Sequence, residues 1–491
     1  RATQYKTFSG DAEADVVIIG GGITGLVTAY LLGNAGKKVT LLEARSIGLG
    51  TTGNSTGNLY ATVDEHLHHI QKKWGAEKTK AVVSSRKAAI DFLEKTIPEL
   101  NMDCNFYRTR FSHFSETDDK EVESFLTKEA AAMHDCGLDP RTETISALPF
   151  PVKKTLSIGN QAQLHPLRFV RQLASHVSSR CSLHENSQVI DYDIEAGTVK
   201  TEQGVIRAKH IVMATHTPVG LFAIHTVLAP YREFGLAAEL LDQNIPEGIF
   251  WSADSPKHSV RVYSEKGKKY VMVIGDKFKT GQHEDADAYV KELELYLKTR
   301  FETGEIKHIW GGQQYKPADG LPYIGHHSGK LYMATGFSSD GLVYGTLGAM
   351  MMADQILGKT TPWDELYKVT RHTPIKSSEK FVKENLNVAA QYIKDLLPNS
   401  ADAKTLSEIG AREGKVVVLN GEKMAVYKDA AHKCHAVSAL CTHLKCVVNW
   451  NGIEKSWDCP CHGSRFGTDG KVIEGPAIYP LPCTSIRENK A

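Results

Sequence analysis

The chain has 491 residues, too many for one core of ordinary size, so we expect two or three folded units. Its content of 41% hydrophobic and 23% charged residues excludes a disordered or fibrous protein. A net charge of +1 with interspersed signs provides no field that would attract nucleic acid, so nucleic acid is not an expected partner. No run of 18 apolar residues is present, which predicts no membrane span, no signal peptide and a cytoplasmic location.

A glycine-rich turn follows the first predicted strand, at residues 15–19. Gly20-Gly21-Gly22-Ile23-Thr24-Gly25 runs directly into a predicted helix at 26–34. In this setting the first glycine allows a tight turn, the second lets a pyrophosphate approach the backbone, and the third lets the helix pack on the strand. A second strand at 38–42 ends in Glu43, which can accept hydrogen bonds from an adenosine ribose. The pattern predicts a dinucleotide site but does not separate FAD from NAD, and a turn without a ligand is the alternative.

A loop of small and hydroxyl-bearing residues at 48–58 follows, suited either to wrapping an extended cofactor or to a flexible surface position. With this loop the sequence resembles the FAD-dependent amine and amino-acid oxidase superfamily, which contains D-amino-acid, glycine and sarcosine oxidases. The resemblance extends to the stretches 310–312, 319–325 and 336–342 and to the small-residue helix after them. In that family the last turn brings backbone amides and a helix N-terminus to the flavin ring, where they stabilise negative charge.

The resemblance implies FAD as a cofactor and a fold of two interleaved domains. One is an α/β FAD-binding domain of the Rossmann-like, glutathione-reductase type, and the other is a substrate domain with an antiparallel sheet. The implied FAD-binding residues are Gly20, Gly22, Ile23, Thr24, Gly25, Glu43, Ala44, Arg45, Gly50, Thr51, Thr52, Ser55, Thr56, Gly57, Val189, Ala214, Thr215, Gly336, Asp340, Gly341 and Leu342.

The sequence lacks the residues with which the family recognises an amino-acid substrate. In an ungapped match across 312–325, Gln314 takes the place of the arginine with which the amino-acid oxidases grip a carboxylate, and a neutral amide offers no charged fork. Val343 replaces the lysine of sarcosine-type oxidases, so an ordinary amino acid is not the expected substrate. No catalytic base is predicted, because the flavin carries the hydride transfer. The weak substrate-site candidates are Tyr60, His165, Arg232 and Gln314, with His66, Arg168 and Tyr231 also expected to face the cleft.

Two hexapeptides near the C-terminal end form the most specific pattern. Residues 441–446 read Cys-Thr-His-Leu-Lys-Cys and residues 459–464 read Cys-Pro-Cys-His-Gly-Ser. One Cys and one His in each loop match the ligation of a Rieske 2Fe-2S cluster, with Cys441 and Cys459 on one iron and His443 and His462 on the other. Zinc is the alternative, since two Cys and two His also make a closed tetrahedral site. The Rieske match is closer because it includes the flanks, such as Trp457, Gly470 and 475–477.

Resemblance to the Rieske family carries further implications. Cys446 and Cys461 would form the disulfide of the high-potential type. Ser464 would donate a hydrogen bond to a cluster sulfur, whereas Phe466 replaces a tyrosine that also donates, so the potential should fall below that of the respiratory-chain proteins. From the residues themselves, Cys434 and Cys483 are expected to be buried.

Domain bounds follow from these segments. Strands at 415–419 and 424–427 flank Asn420-Gly421, which predicts a hairpin, and a long helical pattern covers 378–397. The expected ranges are 1–75, 150–225 and 305–358 for the FAD-binding domain, 76–149 and 226–304 for the substrate domain, 359–403 for a helical connector, and 404–491 for a small all-β Rieske domain.

Both signatures occur in the order found in flavin oxidoreductases with a C-terminal Rieske domain, which the whole chain resembles. The resemblance implies oxidation of a small amine-type substrate, at a CH-NH or CH-NH2 group, with electrons passing from FAD to the cluster. An external acceptor, which could be a protein, a quinone or oxygen, would take them from an exposed histidine edge. One alternative is an electron-transfer module that serves a partner oxygenase or reductase without oxidising a small molecule itself. Another keeps the oxidase and makes the Rieske domain structural.

Overall fold

The computed structural model describes residues 5–143, 148–282, 286–371, 382–391, 406–419 and 421–484. No helix within these ranges is both long and apolar enough to cross a membrane. The helices are α1 (Ile23–Asn34), α2 (Leu67–Trp74), α3 (Ala76–Glu99), α4 (Lys120–Asp135), α5 (Pro166–Val177), α6 (Ala286–Arg300), α7 (Gly341–Ile356), α8 (Asp364–Tyr367) and α9 (382–391).

The strands before residue 372 are β1 (Ala12–Ile19), β2 (Val39–Leu42), β3 (Asn58–Leu59), β4 (Tyr107–Ser115), β5 (Pro140–Glu143), β6 (Lys154–Gln163), β7 (Ser182–His184), β8 (Val189–Asp193), β9 (Thr198–Thr201), β10 (Gly204–Met213), β11 (Leu228–Leu240), β12 (Gly248–Ser252), β13 (Ser259–Glu265), β14 (Lys268–Ile274), β15 (Phe278–Lys279), β16 (Thr303–Pro317), β17 (Tyr323–Ser328) and β18 (Leu331–Thr335). Those after it are β19 (Glu413–Leu419), β20 (Glu422–Lys428), β21 (Cys434–Ser438), β22 (Asn449–Asn451), β23 (Ser456–Asp458), β24 (Arg465–Gly467) and β25 (Val472–Glu474).

The first sheet carries the glycine-rich turn. Its strands follow the order β17-β18-β10-β1-β2-β7, and β1 pairs in parallel with both β2 and β10. The strand-turn-helix-strand unit predicted at residues 15–42 is confirmed. Gly20 ends β1 at a φ of +113°, and a Cβ there would lie 2.5 Å from the carbonyl oxygen of Ala214, so only glycine fits.

A ten-stranded sheet forms the second layer, in the order β15-β11-β14-β13-β12-β4-β6-β3, with β16 added to β11 and β5 to β6. Most pairs are antiparallel, as predicted for the substrate domain. Three of its strands, β3, β6 and β16, lie within ranges that were expected to be FAD-binding, so those bounds need correction. Pairing along the 13 residues of β11 determines where β16 lies, and such long-range pairing leaves no local signal in the sequence.

The C-terminal part consists of a three-stranded sheet, β19-β20-β21, and a four-stranded sheet, β22-β23-β24-β25. The predicted hairpin is present, since Leu419 pairs with Glu422, although Asn420 of its turn lies outside the described residues. The helix expected at 378–397 is described only as α9, and the rest of that range lies outside the described residues.

A buried ion pair joins α3 to the start of α7. The Arg86 guanidinium lies 3.2 Å from the Asp340 carboxylate, and neither side chain is more than 2% exposed. Asp340 also accepts hydrogen bonds from the Tyr60 hydroxyl at 2.6 Å and from the backbone N–H of Asp64 at 3.1 Å. Arg86 donates in turn to the carbonyl oxygen of Tyr60, so this group of side chains fixes the backbone after β3 against two helices.

We predict that Arg86→Met destabilises the N-terminal part by about 3–5 kcal/mol, because it leaves the Asp340 carboxylate buried without its cation. The measurement is denaturant unfolding followed by flavin release and circular dichroism. Arg141→Met is the control, since its pair with Asp139 is exposed and should be worth less than about 1 kcal/mol. Equal decreases in the free energy of unfolding of the two variants would contradict the stabilising role of the Arg86–Asp340 ion pair.

Candidate functional site

A cavity of about 260 Å³ lies where the two large sheets meet the C-terminal part. One end is bounded by the glycine-rich turn, by residues 43–45 and by residues 187–189. Residues 312–315 and the start of α7 form a further part of the wall. Residues 472–475, with 477 and 478, complete the wall, so the C-terminal part closes a cavity formed by the N-terminal part.

The glycine-rich end fits a dinucleotide. The Glu43 carboxylate accepts hydrogen bonds from the backbone N–H groups of Gly21 at 2.7 Å and Arg45 at 2.9 Å, which hold it at the cavity wall with lone pairs left for a ribose. Helix α1 begins here without an acidic residue in its first turn, and of its first backbone N–H groups only that of Ile23 meets a side chain among the described residues, the Thr52 hydroxyl at 3.2 Å. Backbone N–H groups in that state favour a phosphate.

Most of the predicted FAD-binding residues line this cavity, and the four that do not are Gly25, Gly57, Gly336 and Asp340. Contact of these four residues with the cofactor stays a prediction. The three glycines lie behind the wall, where an added Cβ would come within 3 Å of neighbouring atoms. Asp340 turns away from the cavity because its carboxylate is bound to Arg86 and Tyr60.

The start of α7 fits the ring end of a flavin. The helix begins without a side-chain cap, and Gly341 and Leu342 line the cavity together with Ser338 and Ser339. The Ser339 hydroxyl is buried and has no hydrogen-bond partner among the described residues. A buried polar group of this kind is usually satisfied by a ligand or water.

Of the substrate-site candidates, Gln314 alone lines the cavity. Its amide nitrogen donates to the Glu233 carboxylate at 3.1 Å, and its amide oxygen is buried without a partner among the described residues. Sequence reasoning missed Glu233, which also lines the cavity. Burial raises the pKa of the Glu233 carboxyl to about 7. The sequence offered one signal for Glu233. It is adjacent to the candidate Arg232, and neighbouring residues on a strand point to opposite faces of the sheet, so only one of the two side chains can face the cavity.

The remaining candidates do not line the cavity, and a role for them at the substrate stays a prediction. Tyr60 is bound to Asp340, and His165 caps α5 by accepting from the backbone N–H of Arg168 at 3.4 Å. The other substrate-site candidates do not line the cavity either; these are His66, Arg168, Tyr231 and Arg232.

Arg232 instead joins the two parts of the chain. Its guanidinium, 1% exposed, forms ion pairs with Glu454 and, at 3.5 Å, with Glu474. Arg465 binds the same two carboxylates at 3.1 and 3.2 Å, and Asp458 at 3.0 Å. Because each buried carboxylate has a cation beside it, undocking the C-terminal part would separate charges that are already desolvated.

The two hexapeptide loops lie together as a 2Fe-2S cluster requires. Cys441 and Cys459 are buried neighbours, and a hydrogen bond from the Cys459 thiol is the main cause that lowers the pKa of Cys441 to about 7. The ring centroids of His443 and His462 lie 5.1 Å apart. Each ring has a buried nitrogen without a hydrogen-bond partner among the described residues, which fits metal ligation.

Of the other expectations for this region, one is met by the structure and one is wrong. The disulfide between Cys446 and Cys461 is present. Ser464 is fully buried, and its hydroxyl accepts a hydrogen bond from the backbone N–H of Ala477 at 3.0 Å. The expected burial of the last two cysteines is wrong, since Cys434 is half-buried and Cys483 is exposed beyond the last strand.

The histidine edge faces inward. The ring of His225, in a 3-10 turn before β11, lies 5.1 Å from the ring of His443 and 6.2 Å from that of His462. A cavity of about 10 Å³ beside His462 has room for about one water. The expectation of an exposed histidine edge is therefore wrong, because the N-terminal part covers it.

A short hydrogen-bonded bridge links the large cavity to the cluster loops. Gln313 and Tyr315 both line the cavity. The Gln313 amide donates to the carbonyl oxygen of Gly463, next to His462, at 2.8 Å. The Tyr315 hydroxyl accepts from Gln313 at 2.8 Å and donates to the carbonyl oxygen of Gly475 at 3.1 Å. One layer of side chains thus separates the cavity from a ligand loop.

Comparison with known proteins agrees with both sites. Residues 15–355 match the family described as FAD dependent oxidoreductase, and residues 401–485 match the Rieske [2Fe-2S] domain. YhfW of Bacillus subtilis (strain 168), described as a Rieske 2Fe-2S iron-sulfur protein, is 30% identical over 97% of this chain and 94% of its own length.

Two solved structures share the fold of the N-terminal part. Glycine oxidase from Geobacillus kaustophilus is 17% identical, with a TM-score of 0.61 over 74% of this chain and 100% of its own. L-proline dehydrogenase from P. horikoshii is 20% identical, with a TM-score of 0.60 over 74% of this chain and 98% of its own.

We predict that Gly22→Val lowers the FAD content of the purified protein at least tenfold. Gly22 precedes α1, and its added Cβ would already lie 3.0 Å from the Thr52 hydroxyl, so larger groups must enter the cavity where a pyrophosphate would lie. Flavin absorbance per chain measures the effect. Gly159→Val is the control, since no atom lies within 4 Å of its Cβ position, and normal FAD content in both variants would refute the assignment.

Proposed function

Since the chain belongs to the family of FAD-dependent oxidoreductases and carries a C-terminal Rieske [2Fe-2S] domain, we propose that it oxidises a small amine and passes the electrons from FAD to its own cluster. The observation that carries the proposal is the shared wall. Residues 472–475 of the Rieske domain line the cavity that fits FAD, and Gln313 connects that cavity to the loop of His462.

Bound FAD would accept two electrons, and the cluster would accept one electron at a time. The chain's own residues keep the two sites close and dry. Arg232 holds the domains together by binding Glu454 and Glu474, two carboxylates that Arg465 also binds within the Rieske domain, and the loop around Gly475 lines the cavity. Gly463 allows the close approach, because its φ is +78° and an added Cβ would lie 2.6 Å from that of Pro230.

The charges of the cavity favour an amine without a carboxylate. Glu233 lies beside Gln314 at the end that fits the flavin ring, and Glu474 is already paired with arginines. Arg45, the one Lys or Arg among the described lining residues, lies beside Glu43 at the opposite end. A substrate ammonium would find a carboxylate there, whereas a substrate carboxylate would find no cation.

The solved relatives support amine chemistry in general terms. One is named a glycine oxidase and the other an L-proline dehydrogenase. We propose that this chain keeps oxidation at a CH-NH or CH-NH2 group but has exchanged carboxylate recognition for recognition of the amine. Cytoplasmic location and the identity of the external acceptor stay predictions.

A panel of N-methylated amines and amino alcohols, mixed anaerobically with the holoprotein, tests the proposal. Loss of flavin absorbance with at least one amine, followed by reduction of the cluster, is the expected result. Reduction of the flavin only by a partner reductase would favour the electron-transfer module instead. Unchanged turnover after removal of residues beyond 400, with an artificial acceptor and with the native one, would favour a structural Rieske domain.

We predict that Glu233→Gln raises the KM for a cationic amine by about 10- to 100-fold, the effect of losing a charged hydrogen bond of roughly 1.5–3 kcal/mol. Because the pKa of Glu233 is raised to about 7, the carboxylate is charged above pH 7. The KM should therefore fall as pH rises through 7 in the parent protein and should not change there in the variant. Glu239→Gln, on the same strand and paired with exposed Lys268, is the control. A parent-like pH profile in Glu233→Gln would contradict the role.

A further inference from the structure

A second group of polar side chains lies apart from both cofactor sites. Three of its members come from different elements: His66 precedes α2, His113 lies on β4 and Glu129 on α4. One possible ligand atom of each lies within 4.8 Å of those of the other two. We propose that His66, His113 and Glu129 bind a divalent transition-metal ion, independently of the flavin and the cluster.

His113 supplies the main argument. Its side chain is 1% exposed, yet neither ring nitrogen has a hydrogen-bond partner among the described residues. Nδ1 of His66 is likewise buried without a partner there. A buried polar atom left unpaired costs about 1–3 kcal/mol, and most are paired in native proteins. A cation between the His113 ring, Nδ1 of His66 and the buried Glu129 carboxylate would account for these unpaired nitrogens.

The donor set suits this class of ion. Two imidazoles and one carboxylate bind zinc in catalytic sites and iron in non-haem sites, and both leave a position for water.

The surroundings hold the carboxylate in position. Glu129 is fully buried and accepts hydrogen bonds from the backbone N–H groups of Leu67 at 2.9 Å and His68 at 3.0 Å. Nδ1 of His68 lies 2.6 Å from the same carboxylate. Such contacts from neighbouring groups orient metal ligands.

A bound ion would fix the loop before α2 in place. Asp64, two residues before His66, donates its backbone N–H to Asp340, and its carboxylate binds Lys277. The ion would therefore hold α2, α4 and β4 together behind the wall of the large cavity.

Zn²⁺ is the appropriate probe, because a site of this kind binds Zn²⁺ more tightly than Fe²⁺. The holoprotein, with full cluster occupancy measured by electron paramagnetic resonance, is treated with a chelator and titrated with Zn²⁺ by calorimetry. The expected result is one equivalent bound per chain and a Zn²⁺-dependent rise in the midpoint of thermal unfolding. Absence of binding would overturn the proposal.

His113→Phe separates a ligand from a buried structural histidine. Its neighbours include Phe111, Phe125 and Trp251, which accept another aromatic ring. We expect at least tenfold weaker Zn²⁺ binding and no Zn²⁺-dependent thermal shift, with normal FAD content as proof of folding. His308→Phe, at an exposed histidine, should bind as the parent does. Parent-like binding by His113→Phe would overturn the proposal.

Glu129→Gln keeps the shape of the side chain and removes its charge, so it provides a second variant if His113→Phe loses FAD. The expected loss of Zn²⁺ binding is the same, and unchanged binding would count against the site.

Discussion

The docking of the Rieske domain against the flavin-binding part is the constraint on which the account depends. Arg232 of the flavin-binding part reaches across this boundary to Glu454 and Glu474, which Arg465 of the Rieske domain also binds, and all four side chains are at most 17% exposed. Separating the domains would expose or unpair these charges, which is costly once they have been desolvated. The same boundary closes the large cavity and covers the histidine edge of the cluster. One interface thus completes the cavity wall and provides a short path from the cavity to a ligand loop of the cluster.

This arrangement changes how the electrons can leave. In the sequence interpretation the external acceptor met the histidine edge, but His225 and the adjoining turn occupy that side. The covered edge lies beside the loop that Gln313 joins to the cavity that fits FAD, so it is placed to receive electrons. An acceptor must then approach another side of the domain or wait until the domains part. Since the buried ion pairs oppose parting, the first route requires less rearrangement.

Features set by local spacing could be predicted from the sequence. The turn at Gly20, the acid at Glu43 and the two hexapeptide loops each depend on neighbouring residues, and the structure assembles them as expected. Features set by long-range pairing could not be predicted from the sequence. Arg232 and Glu233 are neighbours on one strand, and their roles depend on which face of β11 meets the Rieske domain. The contribution of residues 472–478 to the cavity likewise follows from docking, which leaves no local pattern.

Anaerobic photoreduction of FAD in the purified holoprotein, with the cluster followed by electron paramagnetic resonance, tests the central claim most directly. The account predicts that the reduced-cluster signal grows on the timescale of flavin reoxidation and at a rate independent of protein concentration, as an internal path requires. Reduced FAD beside a cluster that stays oxidised, or a rate that rises with protein concentration, would contradict it.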